Sequence, residues 1–267
     1  MRSSGEWLLL DVGNTHTVAG VVAGSKRVET ARYRTDPAAT ADEYRSLLRD
    51  LLPETCGALP SRRPAFAKTV VSSVVPQLDA TIQEALAPTP VHFLNHQSPC
   101  DFTLGLPVPA QLGADRLANL AGSLQYIQAP ASGNLAVPLL IIDAGTATTF
   151  CLLDRARVYR GGAIVPGLEI GWQALQKRAA KLSAVDLVRP ESQIGTTTDT
   201  QIQSGVLVSY EAMIEAFSQK LLAAWKSPET RILTTGGCMH RLRLPPHFEQ
   251  VPDLTLIGLE RYGQLLE

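Results

Sequence analysis

The sequence predicts an α/β protein built from two related domains, each a mixed β-sheet flanked by helices. Three observations carry that prediction. A strand–turn–strand pattern opens the chain as Trp7–Val12, Gly13-Asn14 and Thr17–Val22. The pattern returns as Leu139–Ile142, Asp143-Ala144-Gly145 and Thr148–Leu153. Both copies run on into segments of helical spacing, and 267 residues suffice for one large domain or two modest ones.

Between the copies, Arg27–Arg34 reads as a third strand, and Ala41–Leu52 as a helix with Tyr44, Leu47, Leu48 and Leu51 in phase, stopped by Pro53. Lys68–Val75 is a valine-rich strand, Pro76–Ala87 a helix with proline in its first turn, and Val91–Leu94 a short strand. Asp101–Gln111, with its two prolines, reads as a connecting loop. Ala114–Ile127 follows as a helix with Leu117, Leu120, Ala121, Leu124 and Ile127 on one face. Ala129–Pro138 has linker composition. After the second copy come a strand at Val158–Ala163, helices at Pro166–Leu182 and Thr200–Trp225, a strand at Arg231–Thr235 and a final helix at Leu254–Leu266. We expect a boundary that gives domains 1–113 and 114–267.

The repeat has an offset of 132 positions, Asp11 to Asp143. At that offset Asp11, Gly13 and Thr17 lie over Asp143, Gly145 and Thr149. A ligand cleft is expected between the copies.

Composition narrows the function. A formal net charge of −1 gives no electrostatic reason to expect nucleic acid or an anionic membrane, which leaves small molecules and other proteins. Cys56, Cys100, Cys151 and Cys238 form no CxxC pair, poor material for a disulfide framework or a zinc site. The apolar run Trp7–Leu10 is too short for a signal core, and no later run would span a bilayer, so a cytoplasmic protein is expected. No Gly-Lys dipeptide, G-x-G-x-x-G or G-x-S-x-G occurs, which excludes a P-loop and argues against a usual dinucleotide fold and a nucleophile elbow. His92 and His96 are four apart in a segment that does not read clearly as a helix, a weak pattern for a metal site.

Two constellations remain. In Asp11–Thr15 a glycine lets backbone N–H groups approach an anion, Thr15 and Thr17 offer hydroxyls, and a strand-end carboxylate suits Mg²⁺ beside phosphates. A plain hairpin turn explains one such copy, but not why both keep the Asp and the hydroxyls. Gly113-Ala114-Asp115-Arg116 opens a helix, where the dipole favours anions. Asp115 either completes a favourable helix start or takes the proton of an attacking hydroxyl, with Arg116 binding a carboxylate or phosphate. Gly161-Gly162, Pro166-Gly167 and Thr234-Thr235-Gly236-Gly237 are turns where backbone can lie against a ligand.

With Asp11–Thr15, Gly113–Arg116, Asp143–Thr148, Gly161-Gly162 to Pro166-Gly167 and Thr235-Gly236-Gly237 in that order, the chain resembles the type III pantothenate kinases, which include Bvg accessory factors. The resemblance runs from about residue 7 to the final helix. It implies two ribonuclease-H-like domains of the actin-like ATPase type, related by internal duplication. It also implies that ATP with Mg²⁺ phosphorylates pantothenate to 4'-phosphopantothenate, the first step of coenzyme A biosynthesis.

On that resemblance, Asp11, Val12, Gly13, Asn14, Thr15, His16, Thr17 and Val18 would form the first phosphate loop, with Asp11 near Mg²⁺ and Thr146 touching ATP. Leu106, Gly113, Ala114, Asp115, Arg116 and Thr198 would contact pantothenate, with Asp115 as proton acceptor. Asp143 would ligate a monovalent cation, K⁺ or ammonium, and the protein would be a homodimer. Where the family shows Tyr-x-Asn-Pro, this chain has Leu106-Pro107-Val108-Pro109. Losing a polar contact of that kind costs about 1–3 kcal/mol when its partner is left unpaired. That departure keeps two alternatives in view, a kinase of another small hydroxy acid or sugar and a kinase-like nucleotide-binding accessory protein.

Overall fold

The computed structural model describes residues 5–24, 26–51, 66–130, 133–178 and 185–266. Its strands are β1 Trp7–Val12, β2 His16–Ala23, β3 Lys26–Arg34, β4 Lys68–Ser73, β5 Val91–Phe93, β6 Thr103–Leu104, β7 Leu139–Ala144, β8 Ala147–Leu153, β9 Val158–Pro166, β10 Arg231–Thr235 and β11 Phe248–Gln250. The helices are α1 Ala41–Leu51, α2 Asp79–Leu86, α3 Ala114–Tyr126, α4 Leu168–Arg178, α5 Thr198–Trp225 and α6 Leu254–Leu265. Cys56 and the last expected residues of the first and fourth helices, Leu52 and 179–182, lie outside the described residues.

The chain divides into two compact units. The first holds β1–β5, α1, α2, α3 and α6, and the second holds β6–β11, α4 and α5. The expected boundary at 113/114 falls inside the first unit, because α3 packs on α6. Close contact of these helices has a local cause: a Cβ on Gly258 would lie 1.8 Å from the Ala118 carbonyl oxygen, so only glycine lets the backbones meet. Thr255 Oγ1 donates to Asn119 Oδ1 at 2.8 Å and Arg261 Nη1 to Gln125 Oε1 at 2.9 Å, which completes the helix pair. The main crossing from the first unit to the second, after Ala129, comes at the start of the linker segment.

In the first unit the sheet order is β3-β2-β1-β4-β5, with β1–β2 and β2–β3 antiparallel and β1–β4 and β4–β5 parallel. Leu8, Leu10, Val12, Ala19 and Val21 face Tyr44 and Leu48 of α1 and Ile82, Ala85 and Leu86 of α2 in a closed aliphatic core. In the second unit the order is β11-β10-β7-β8-β9-β6. Here β7–β8 and β8–β9 are antiparallel, and β7–β10 and β10–β11 parallel. Leu140, Ile142, Phe150 and Ile232 pack against Leu207, Tyr210 and Ile214 of α5.

Strand for strand, β7–β11 therefore repeat β1–β5 in order and in direction, and β6 is an addition at the β9 edge. The register corrects the repeat in one detail. Asp11 pairs with Val18 and Val12 with Thr17, whereas Asp143 pairs with Thr149 and Ala144 with Thr148. The second turn is one residue shorter, so Thr148, not Thr149, is the counterpart of Thr17. Both residues are fully buried.

Candidate active site

The first turn is shaped by its own backbone. Gly13 N–H donates to the His16 carbonyl at 3.0 Å, and Thr35 N–H to the Thr15 carbonyl at 3.0 Å. Asp11 stands half-buried at the end of β1, while Asn14 is exposed at the tip. His16 Nδ1 accepts from Arg32 Nη2 at 3.1 Å, and Val18 is half-buried. Thr17 departs from expectation: its side chain points inward and shares a 2.9 Å hydrogen bond with the Thr35 hydroxyl. It braces the turn from below instead of offering a hydroxyl to a ligand, and the fully buried Val12 has only its backbone to offer.

Within the same unit the turn meets the start of α3. Val74 N–H donates to the Val12 carbonyl at 3.0 Å, and the Val74 side chain lies 3.7 Å from where a Cβ on Gly113 would stand. Gly113 is the extended residue before the helix, Ala114 is buried, and Asp115 and Arg116 are half-buried in the first turn. Asp115 Oδ1 accepts from the Arg116 N–H at 2.7 Å. That oxygen stands 2.5 Å from the position of a Cβ on Gly113, so a larger residue there would displace it. Arg116 Nη2 donates to the Gln111 carbonyl at 3.3 Å. The carboxylate is thus held in the first turn of α3 by the Arg116 N–H.

The second unit gathers the other motifs around Asp143. Gly145 N–H donates to the Ala147 carbonyl at 3.1 Å, repeating the Gly13 bond one residue shorter. Gly167 N–H donates to the Thr146 carbonyl at 3.2 Å, and Cys238 N–H to the Ala144 carbonyl at 2.9 Å. Gly236 has φ +103°, and a Cβ there would lie 2.4 Å from Asp143 Oδ1 and 2.6 Å from the Ala144 backbone. Only glycine fits that position. The Thr146 side chain is exposed at the tip, and Asp143 is half-buried.

Sequence reasoning missed the residue beneath this turn. Tyr210, on α5, hydrogen-bonds the buried Thr148 hydroxyl. Burial pushes its phenol pKa up, opposed by the Thr148 hydrogen bond, and the charge of Asp143 adds a smaller upward push. Nothing in the local sequence marks Tyr210 apart from its place on the buried face of a long helix. Thr198 begins α5, two residues before the expected start. Thr197 and Thr200 form the capping box, which leaves Thr198 exposed beside it. Leu106 lies two residues past β6 with its side chain next to Gly161, and Val108 is 49% exposed.

Among the described residues, no group of three or more His, Cys, Asp or Glu side chains could by itself hold a metal ion. A half-buried carboxylate at each strand end nevertheless suits Mg²⁺, which binds through one or two carboxylates, substrate phosphates and water rather than in an all-protein cage. Cys100, Cys151 and Cys238 are free thiols. Among the described residues no helix is long and apolar enough to cross a membrane.

A family model described as type III pantothenate kinase matches residues 7–220. The chain belongs to the type III pantothenate kinase family. A type III pantothenate kinase of Rubrobacter xylanophilus is 34% identical over 267 residues, covering 95% of each chain. One from Geobacillus kaustophilus is 32% identical over 258 residues, covering 94% of this chain and 95% of its own. Among solved structures, a Baf family transcriptional activator of Campylobacter jejuni superposes with TM-score 0.54 at 17% identity, over 97% of this chain and 98% of its own. An inorganic polyphosphate/ATP-glucomannokinase from Arthrobacter gives 0.51 at 15% identity, over 98% and 100%. At those identities the likeness concerns the fold alone. Family membership and fold thus agree with the motif order read along the chain.

Proposed function

We propose that this pantothenate kinase transfers the γ-phosphoryl group of ATP to the primary hydroxyl of pantothenate, giving 4'-phosphopantothenate and ADP. The observation that carries the reading is the placement of Asp115 at the N-terminus of α3, beside the turn after Asp11. The pantothenate oxygen bonds to the γ-phosphorus as the bond from that phosphorus to the β,γ-bridging oxygen breaks. The hydroxyl proton passes to the Asp115 carboxylate, and ADP leaves.

Asp11, Gly13, Asn14, Thr15, His16 and Val18, with Thr146, hold the nucleotide. Gly113, Ala114, Arg116, Leu106 and Thr198 orient pantothenate, with Arg116 suited to its carboxylate. Asp11 would hold the Mg²⁺ that accompanies ATP, which would supply neutralisation of phosphate charge, and Asp143 would hold K⁺ or ammonium. We place the enzyme in the cytoplasm as a homodimer. Coupled ATP assays with pantothenate, in K⁺ against Na⁺, test the reaction and the cation together, and light scattering tests the dimer.

A second reading, a kinase of another small hydroxy acid or sugar, draws on Leu106 and the exposed Val108. Leu106→Tyr, which restores a phenol, is expected to lower KM for pantothenate about threefold to tenfold with kcat little changed. An unchanged KM, with faster turnover of a different acid in a substrate panel, favours the second reading.

A further inference from the structure

Ser72 lies directly across from Asp11 in the parallel β1–β4 register, so the two side chains share one face of the sheet on neighbouring strands. The residue is fully buried, and its Oγ has neither solvent nor a hydrogen-bond partner. A hydroxyl buried without a partner destabilises the state that contains it, so its presence calls for a cause. The repeat supplies a comparison. In the second unit the equivalent position, opposite Asp143, is Thr235, also a buried hydroxyl. Thr235 Oγ1 donates to the Pro252 carbonyl at 3.2 Å. Both copies thus place a hydroxyl beside the strand-end aspartate, and only Ser72 lacks a partner.

We infer that Ser72 is a positioning residue for Asp11: its hydroxyl, unpartnered in this structure, becomes the donor that orients the Asp11 carboxylate when a magnesium-bound nucleotide is in place. The inference rests on the reading of Asp11 as the carboxylate near Mg²⁺. A carboxylate accepts and cannot donate, and rotation of the serine and aspartate side chains on neighbouring strands brings the hydroxyl to it. Donors behind a metal-binding carboxylate fix its direction, and losing one typically weakens metal affinity about 10–100-fold. On the same strand Thr69 provides an internal control. Its Oγ1 is also buried and unpartnered, but it pairs with Leu8, three positions back on the opposite face.

The test measures binding of a non-hydrolysable ATP analogue with Mg²⁺ by calorimetry, and thermal unfolding without nucleotide, for five proteins. These are the wild type, Ser72→Ala, Ser72→Cys, Thr69→Val and Asp11→Asn. Ser72→Ala and Ser72→Cys, which replaces the hydroxyl with a much weaker donor, should raise Kd for the magnesium complex about tenfold while Tm without nucleotide stays level or rises. Thr69→Val should leave Kd unchanged. Wild-type Kd in Ser72→Ala alongside weak binding by Asp11→Asn overturns the inference and leaves the reading of Asp11 standing. Weakened binding in Ser72→Ala together with a lowered Tm, or an equal loss in Thr69→Val, overturns it as a structural effect. Wild-type Kd in Asp11→Asn overturns both readings.

Discussion

The turns after Asp11 and Asp143 share one plan and rest on different neighbours. Each begins at a strand-end aspartate, closes through a glycine N–H and is braced from inside by a buried threonine. Under the first, Thr17 meets Thr35 on the chain just after β3, and the turn abuts the start of α3. Under the second, Thr148 meets Tyr210 on α5, and Gly167 and Gly236 press on the backbone. The two copies thus keep the same turn on different supports. The first copy is joined to the proposed base Asp115, and the second to the long helix whose first residue is Thr198.

The largest expected effect separates the copies at once. Asp115→Asn should lower kcat by about 10²–10⁴ while Tm and ATP binding stay near wild type, because only the first copy adjoins the proposed base. Steady-state kinetics with a melting curve decide it, and near-wild-type kcat removes Asp115 from that role. Next comes Gly236→Ala, which forces a side chain onto Asp143 at a positive φ. We expect a loss of about 1–3 kcal/mol or more in stability and a raised KM for ATP. The matching position in the first copy is Ser73, where no such constraint applies.

Smaller effects sharpen the comparison. Tyr210→Phe and Thr35→Val each remove a hydrogen-bond partner of a buried threonine hydroxyl. Each should cost about 1–3 kcal/mol in denaturant unfolding. Comparable losses support equivalent roles for Thr148 and Thr17. A large loss from one and none from the other breaks the equivalence. The smallest expected effect concerns the register. Thr149→Val, at a half-buried position, should change stability by no more than about 0.5 kcal/mol, well below the loss from Thr148→Val.

Much of the fold was legible because strands and helices are local. The apolar runs at Trp7–Val12 and Arg231–Thr235 gave their strands to the residue, and the helical phase of Leu117, Leu120 and Leu124 gave α3. The one-residue difference between the turns was not legible, because Thr149 follows Thr148 and satisfies the 132-position match by coincidence. The grouping of α3 with α6 depends on a glycine contact between segments far apart in sequence, which no local pattern records. The short strands β6 and β11 have two and three residues, too few for alternation to show.

The candidate site divides in the same way. Asp11, Asp143 and Asp115 were visible as motif residues, since each stands close to a glycine at a turn or a helix start. Tyr210, Thr35 and Ser72 were not, because they act from behind the turns and look in sequence like ordinary helix and strand positions. Thr17 was legible as a hydroxyl but not as a buried one, since its direction follows from the strand register.

The most direct test of the central claim is product identification from the wild-type protein incubated with ATP, Mg²⁺, K⁺ and pantothenate. The expected product is 4'-phosphopantothenate by mass spectrometry, formed in equal amount with ADP. ATP bound with no phosphopantothenate formed, or a second hydroxy acid or sugar phosphorylated with higher kcat/KM, would contradict it.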